Sequence, residues 1–167
     1  GRTFKESLFK GLRSLEAVKP LRLQDVPDAE LQRKLARPNS QRFSYMTYAL
    51  QNGYTIDEIH RLTKIDPWFL DQLAQVMEFQ ASLDAKPLGQ YSFDELRTAK
   101  EFGLSDRRLF YLTGSPEAEV RRHRKGLGIE PVYKRVDTCG AEFESFTPYM
   151  YSTYEQECEA APTDRRK

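Results

Sequence analysis

The sequence predicts an all-α protein, a compact bundle of about eight helices in two similar helical subdomains, followed by an extended C-terminal segment. Three observations carry that prediction. Ser, Thr and Asp recur just ahead of apolar positions spaced by three and four, the pattern of capped amphipathic helices. Residues 43–63 recur as 93–113, at an offset of 50. Beyond Lys125 the caps and the helical spacing both stop, and aromatic and acidic residues take over.

Thr3 and Glu6 make a capping box for a first helix, with Phe4, Leu8, Leu12 and Leu15 on one face and an end before Pro20. Asp28 or Asp25 opens a short second helix that carries Leu31 and Leu35 and is closed by Pro38-Asn39. A third spans Gln41 to Asn52, with Phe43, Met46, Ala49 and Leu50 as its apolar stripe and Gly53 as the left-handed stop. Thr55 and Glu58 form the box of a fourth, which carries Ile59 and Leu62.

Asp66-Pro67 starts a longer fifth helix, Asp as cap and Pro in the first turn, where its missing N–H costs nothing. Its inward set is Trp68 or Phe69 with Leu70, Leu73, Val76, Met77 and Leu83. Ser92 and Glu95 box a sixth through Phe93, Leu96 and Ala99 to Gly103. Ser105 caps a seventh, with Leu109 and Leu112, and Ser115-Pro116 opens an eighth that carries Val120 and ends in Arg121-Arg122-His123-Arg124-Lys125.

The repeat pairs Phe43 with Phe93, Met46 with Leu96, Ala49 with Ala99, Gly53 with Gly103, Thr55 with Ser105, Ile59 with Leu109, Leu62 with Leu112 and Thr63 with Thr113. Asp66-Pro67 and Ser115-Pro116 follow at an offset of 49. One supersecondary unit, helix, Gly stop, capped short helix and Pro-started helix, is thus used twice. After it, Ile129–Val136 reads as extended or strand-like, with Pro131 disfavouring a central strand. From Asp137 to Glu159 there are six acids and no Lys or Arg, interleaved with Phe143, Phe146, Tyr149, Tyr151 and Tyr154. That aromatic density is too apolar for a free linker, so the segment is expected to lie across another surface.

Charge and composition restrict function. The 167 residues hold 26 Lys+Arg against 25 Asp+Glu, a net charge of +1, which weighs against a chain built to coat duplex DNA or an anionic membrane. With 39% hydrophobic and 31% charged residues and a mean hydropathy of −0.70, the helices have broad solvated faces. The longest apolar run is Leu109–Leu112, against about 20 residues for a membrane span. Gly1–Glu6 offers neither an apolar stretch nor Met, so it reads as the interior of a longer chain and not as a signal peptide. Cys139 and Cys158 are expected to be reduced thiols of a cytoplasmic protein, with a disulfide as the alternative.

No catalytic, cofactor-binding or metal-binding residue is assigned from the sequence. His60 and His123 lie near no Cys pair and in no zinc spacing. Gly126-Leu127-Gly128 begins like a dinucleotide loop, but Pro131 stands at the third glycine position. The adjacent acids Asp57-Glu58 and Asp94-Glu95 stand at helix starts, where they suit the dipole better than acid–base work. Trp68 reads as a core plug more readily than as a stacking platform. The candidate with most chemistry is a helix-turn-helix over 103–125, in which Arg121, Arg122, Arg124 and Lys125 would face a nucleic acid. A solvated or ion-paired face is the preferred reading, because the first repeat has the same hairpin without the charge.

Both ends are more specific. Gly1-Arg2-Thr3-Phe4-Lys5-Glu6-Ser7-Leu8, with Lys10, Leu12 and Arg13, resembles the helix that ends the first synthetase component of the carbamoyl phosphate synthetase large subunit. Pro131–Cys139 with Ala141-Glu142-Phe143, then Tyr149–Glu155, resembles the stretch leading into the second component, and Gly140 stands where Ala is common. Asp66-Pro67-Trp68-Phe69-Leu70 and the Gly-Leu-Ser hairpin resemble the oligomerisation, or connection, domain between them.

The resemblance implies residues 1–17 as the end of the first component, 18–130 as the connecting helical domain and 131–167 as the approach to the second, whose first strand would begin near Thr163–Lys167. It implies a non-catalytic scaffold. The larger enzyme would use two ATP, Mg²⁺, bicarbonate and glutamine-derived ammonia to make carbamoyl phosphate for arginine and pyrimidine biosynthesis. The implied partners are the flanking ATP-grasp domains, other large subunits and a small glutaminase subunit, with no nucleic acid and no membrane.

Overall fold

The computed structural model describes residues 1–15, 23–83 and 86–162. Among them are eight α-helices: α1 (Phe4–Ser14), α2 (Asp28–Ala36), α3 (Arg42–Gln51), α4 (Ile56–Thr63), α5 (Pro67–Ser82), α6 (Phe93–Glu101), α7 (Asp106–Thr113) and α8 (Glu117–Gly126). A 3₁₀ turn at Leu88–Gln90 precedes α6, and strands β1 (Val132–Arg135) and β2 (Met150–Thr153) follow α8. The fold is mostly helical. α1 ends at Ser14, ahead of Pro20 as expected; Pro20 itself and the tail Thr163–Lys167 lie outside the described residues.

The chain divides into two compact units, Gly11–Asp84 and Gly1–Lys10 with Ala85–Lys167. In the first, α2 packs on α3 and α4, and both of these pack on α5. Leu31, Leu35, Tyr45, Ala49, Ile59 and Leu70 form its core. Tyr45, which the apolar stripe of α3 had omitted, is buried there, whereas Phe43 is only half-buried. In the second unit α7 packs on α8, and α8 on the 3₁₀ turn, around Leu96, Ala99, Leu104, Leu109, Val120 and Ile129.

Local cap chemistry explains most boundaries. Thr55 and Ser92 each accept the N–H of the glutamate three residues on, at 3.2 Å, while Glu58 and Glu95 reach back to the cap N–H. Asp66 accepts the N–H of Trp68 at 2.8 Å ahead of Pro67. Two caps differ from expectation. Pro27 stands at the cap of α2, leaving Asp28 as its first residue, bonded to Gln32 and the Tyr54 hydroxyl. Pro116 likewise takes the cap of α8, so Ser115 lies one residue outside it. The fixed φ of proline suits either position at a helix start.

Three inward assignments are also corrected. Trp68 and Phe69 are 53% and 44% exposed, because they precede Leu70 by two residues and one, and so point about 200° and 100° away from it around the helix. Phe93, in the opening turn of α6 ahead of buried Leu96, is exposed as well. Leu15 is exposed, and the buried residue of α1 is Glu6.

The two copies of the repeat share their turn geometry and the bonds that close it. Gly53 and Gly103 share a φ of +86°, which lets the chain turn where an L side chain is disfavoured. The amides of Tyr54 and Leu104 donate to Ala49 and Ala99, each at 3.0 Å. Thr63 and Thr113 accept the N–H two residues on, at 3.1 and 3.2 Å.

β1 and β2 pair antiparallel, with Val132 opposite Thr153 and Arg135 opposite Met150. Alternation turns Lys134 and Thr153 inward and Tyr133, Arg135 and Met150 outward. The extended segment is therefore partly a hairpin.

Candidate functional site

Three charged residues meet inside the second unit. Ser105 accepts the N–H of Arg108 at 3.0 Å, which places Asp106 in the first position of α7, where its charge suits the helix dipole. Lys100, near the end of α6, brings Nζ to 2.8 Å from Asp106 Oδ1. Arg124 of α8 brings Nε to 3.0 Å from both carboxylate oxygens and donates from Nη1 to the Ile129 carbonyl at 2.9 Å. Ile129 N–H returns a bond to the Arg124 carbonyl at 2.9 Å, across a turn in which Gly128 has a φ of +76°. All three charged side chains are buried. Burial pushes the Asp106 carboxyl up, but the bonds from Arg124 and Lys100 outweigh it and hold the group below its ordinary range. Burial pulls the Arg124 guanidinium down, and Asp106 more than restores it.

The C-terminal segment lies over this cluster. The Tyr154 ring has Lys100 Nζ at 5.2 Å and Arg124 Cζ at 5.8 Å from its centre, within cation–π range. Arg97 Nη2 donates to the Tyr154 carbonyl at 3.1 Å and holds Glu101 at 2.7 Å. Arg2 pairs with Glu155 at 2.9 Å. Lys10 donates to the Ser152 carbonyl and lies 2.6 Å from Glu6 Oε1. Burial raises the Glu6 carboxyl, and Lys10 and the Arg2 N–H, bonded to Oε2 at 3.0 Å, bring it below its ordinary value. Lys134, buried under the hairpin, lies 3.2 Å from Glu159 and 3.8 Å from Glu157. Within the segment expected to lie across another surface, Ser152–Glu155 thus rests on α1, α6 and α8, held by cations, while Phe143, Phe146 and Tyr149 stay exposed.

The basic end of α8 does not form one face. Arg121 and Arg122 are exposed, His123 is half-buried, Lys125 lies 3.7 Å from Glu130, and Arg124 points into the core. A groove-reading set of Arg121, Arg122, Arg124 and Lys125 loses Arg124 to Asp106. Glu58 and Glu95 serve their caps, and Glu95 also binds Lys86 at 2.8 Å. His60 Nδ1 is bonded to the Ile65 carbonyl at 2.7 Å. Cys139 and Cys158 are free thiols. Among the described residues no group of three His, Cys, Asp or Glu is placed to hold a metal ion. Gly126-Leu127-Gly128 closes α8 and returns Ile129 to Arg124, with the Leu127, Gly128 and Ile129 amides bonded within the turn, so this loop is no cradle for ATP phosphates.

Residues 1–128 match the family model described as the carbamoyl-phosphate synthetase large chain, oligomerisation domain. The chain belongs to that family. It is similar over its whole length to carbamoyl phosphate synthase large chains of Nostoc sp. at 45% identity, Archaeoglobus fulgidus at 45% and Acidobacterium capsulatum at 46%. It spans 16% of the length of each of them.

For an oligomerisation domain of this large-chain family, exposed apolar side chains are the features of interest. Trp68 and Phe69 stack edge to face, centroids 5.0 Å apart at 84°, on the outer side of α5. Tyr111, Phe143, Phe146 and Tyr149 are exposed in the other unit. The ion cluster escaped the sequence reading although the repeat contains its signal. At the offset of 50, Lys100 and Asp106 fall on Leu50 and Ile56, which pack against the aliphatic core of the first unit. Charges at positions that are apolar in the sister copy point to a buried polar partner.

Proposed function

We propose that the chain is a connecting and assembling element of a carbamoyl phosphate synthetase large chain, without catalytic residues of its own. On this reading residues 1–17 end the first synthetase component, 18–130 form the connecting helical domain and 131–167 lead to the second. The larger cytoplasmic enzyme would make carbamoyl phosphate for arginine and pyrimidine synthesis, with ATP and Mg²⁺ held in its ATP-grasp halves and ammonia supplied by a small glutaminase subunit. The match of residues 1–128 to the oligomerisation-domain family carries the reading.

The exposed Trp68–Phe69 pair supports assembly, since aromatic pairs with one face in water are typical anchors of protein interfaces. Sedimentation across a dilution series tests it. The wild-type chain is expected to self-associate, and W68A/F69A to move the transition to higher concentration with an unchanged helical spectrum. A chain that stays monomeric at every concentration overturns the assembly reading.

A further inference from the structure

Residues 136–149 join β1 to β2, and their side chains are sorted inside out. Polar groups tie the loop from within: Asp137 accepts the N–H groups of Cys139 and Ala141 at 2.9 and 2.7 Å, and Thr147 donates to the Val136 carbonyl at 2.6 Å. Arg135 Nη1 donates to the Ser145 carbonyl at 3.2 Å. The aromatic rings point out. Phe143, Phe146 and Tyr149 are 74, 77 and 68% exposed, and Tyr133 and Met150 continue the same outward side of the hairpin.

Water-exposed rings on a tied backbone form a ready apolar surface, and such patches with a polar rim mark interaction sites. The rim is acidic. Asp137, Glu142 and Glu144 are exposed around Phe143, and no Lys or Arg occurs between Asp137 and Glu159. Of the two cations that precede the loop, Lys134 is buried on the inner side, and Arg135 faces outward with its Nη1 donated to the Ser145 carbonyl.

We propose that this face docks against another part of the longer polypeptide, at a surface with an apolar floor and a Lys/Arg rim. The proposal rests on the reading of the chain as a connector. Two observations select that occupant over a second copy. A two-fold contact through this face brings three exposed carboxylates of each copy, Asp137, Glu142 and Glu144, against one outward guanidinium, Arg135, so that like charge prevails. The chain also matches only 16% of its relatives' length, so most of the surface of such a polypeptide belongs to other parts of it.

Hydroxyl-radical labelling of the full-length polypeptide, read by mass spectrometry at Phe143, Phe146 and Tyr149, tests the contact. The references are the urea-unfolded polypeptide for free rings and buried Tyr91 for covered ones. The expected result is loss of labelling to the level of Tyr91, unchanged on dilution, with labelling regained in E142K/E144K. Labelling as strong as in the unfolded polypeptide overturns the proposal. Protection that disappears on dilution assigns the face to a second copy and overturns it too, and protection indifferent to E142K/E144K overturns the basic rim. The W68A/F69A result bears on assembly through α5 alone, so the two readings fail separately.

Discussion

Lys100 Nζ lies 2.8 Å from Asp106 Oδ1, and the same two places one repeat earlier are held by Leu50 and Ile56. One backbone unit therefore closes its core with aliphatic contact in the first copy and with ions in the second. Buried ion pairs add little net stability over apolar packing, because desolvation offsets the attraction, whereas a buried charge that loses its partner is costly. The cluster's contribution is then positional: it gives Tyr154 two cations to lie against.

Asp106→Asn leaves Lys100 and Arg124 buried without their anion, and is expected to lower unfolding free energy by about 3–5 kcal/mol. Urea unfolding followed by circular dichroism measures it, and a loss below about 1 kcal/mol contradicts the buried geometry.

Restoring the first copy's chemistry separates stability from position. K100L/D106I/R124M is expected to keep stability or raise it by about 1–4 kcal/mol, while the Tyr151–Glu155 amides lose protection from hydrogen exchange. Retention of that protection would falsify the anchoring role.

Acid should expose the same cluster. The folded Asp106 carboxyl titrates below its ordinary value, so the stability it contributes is complete above about pH 4, the unfolded range, and is lost as pH falls through the folded value. Unfolding free energy measured across that interval is expected to fall more steeply for wild type than for Asp106→Asn.

The two turn glycines are expected to respond unequally. Either one replaced by Ala meets the left-handed strain of about 1–2 kcal/mol. At Gly53 a new Cβ finds open space, whereas at Gly103 it falls 3.0 Å from the Glu6 Cα and 3.1 Å from the Phe9 Cβ. Gly103→Ala should therefore have the larger drop in melting temperature.

Caps were legible because their chemistry is local: Thr55 with Glu58 and Ser92 with Glu95 lie within one turn. The repeat was legible for the same reason, since its stop and caps are fixed by short spacings. The burial of Arg124 was not, because its anion lies 18 residues away and the helix that presents it is basic throughout its last turn. β1 falls within the stretch read as extended or strand-like, but its pairing with β2 was missed because the strands meet across residues 136–149, too far apart for any turn signature to announce. Trp68 was misplaced on the general tendency of tryptophan to fill cores, against the helical phase set by Leu70 and Leu73.

Asp137 has a consequence in rates. By fixing the Cys139 and Ala141 amides, it settles the loop's conformational entropy when the chain folds and not when a partner arrives. A surface prepared in this way meets its counterpart in a single diffusive step, with no ordering transition to slow the encounter.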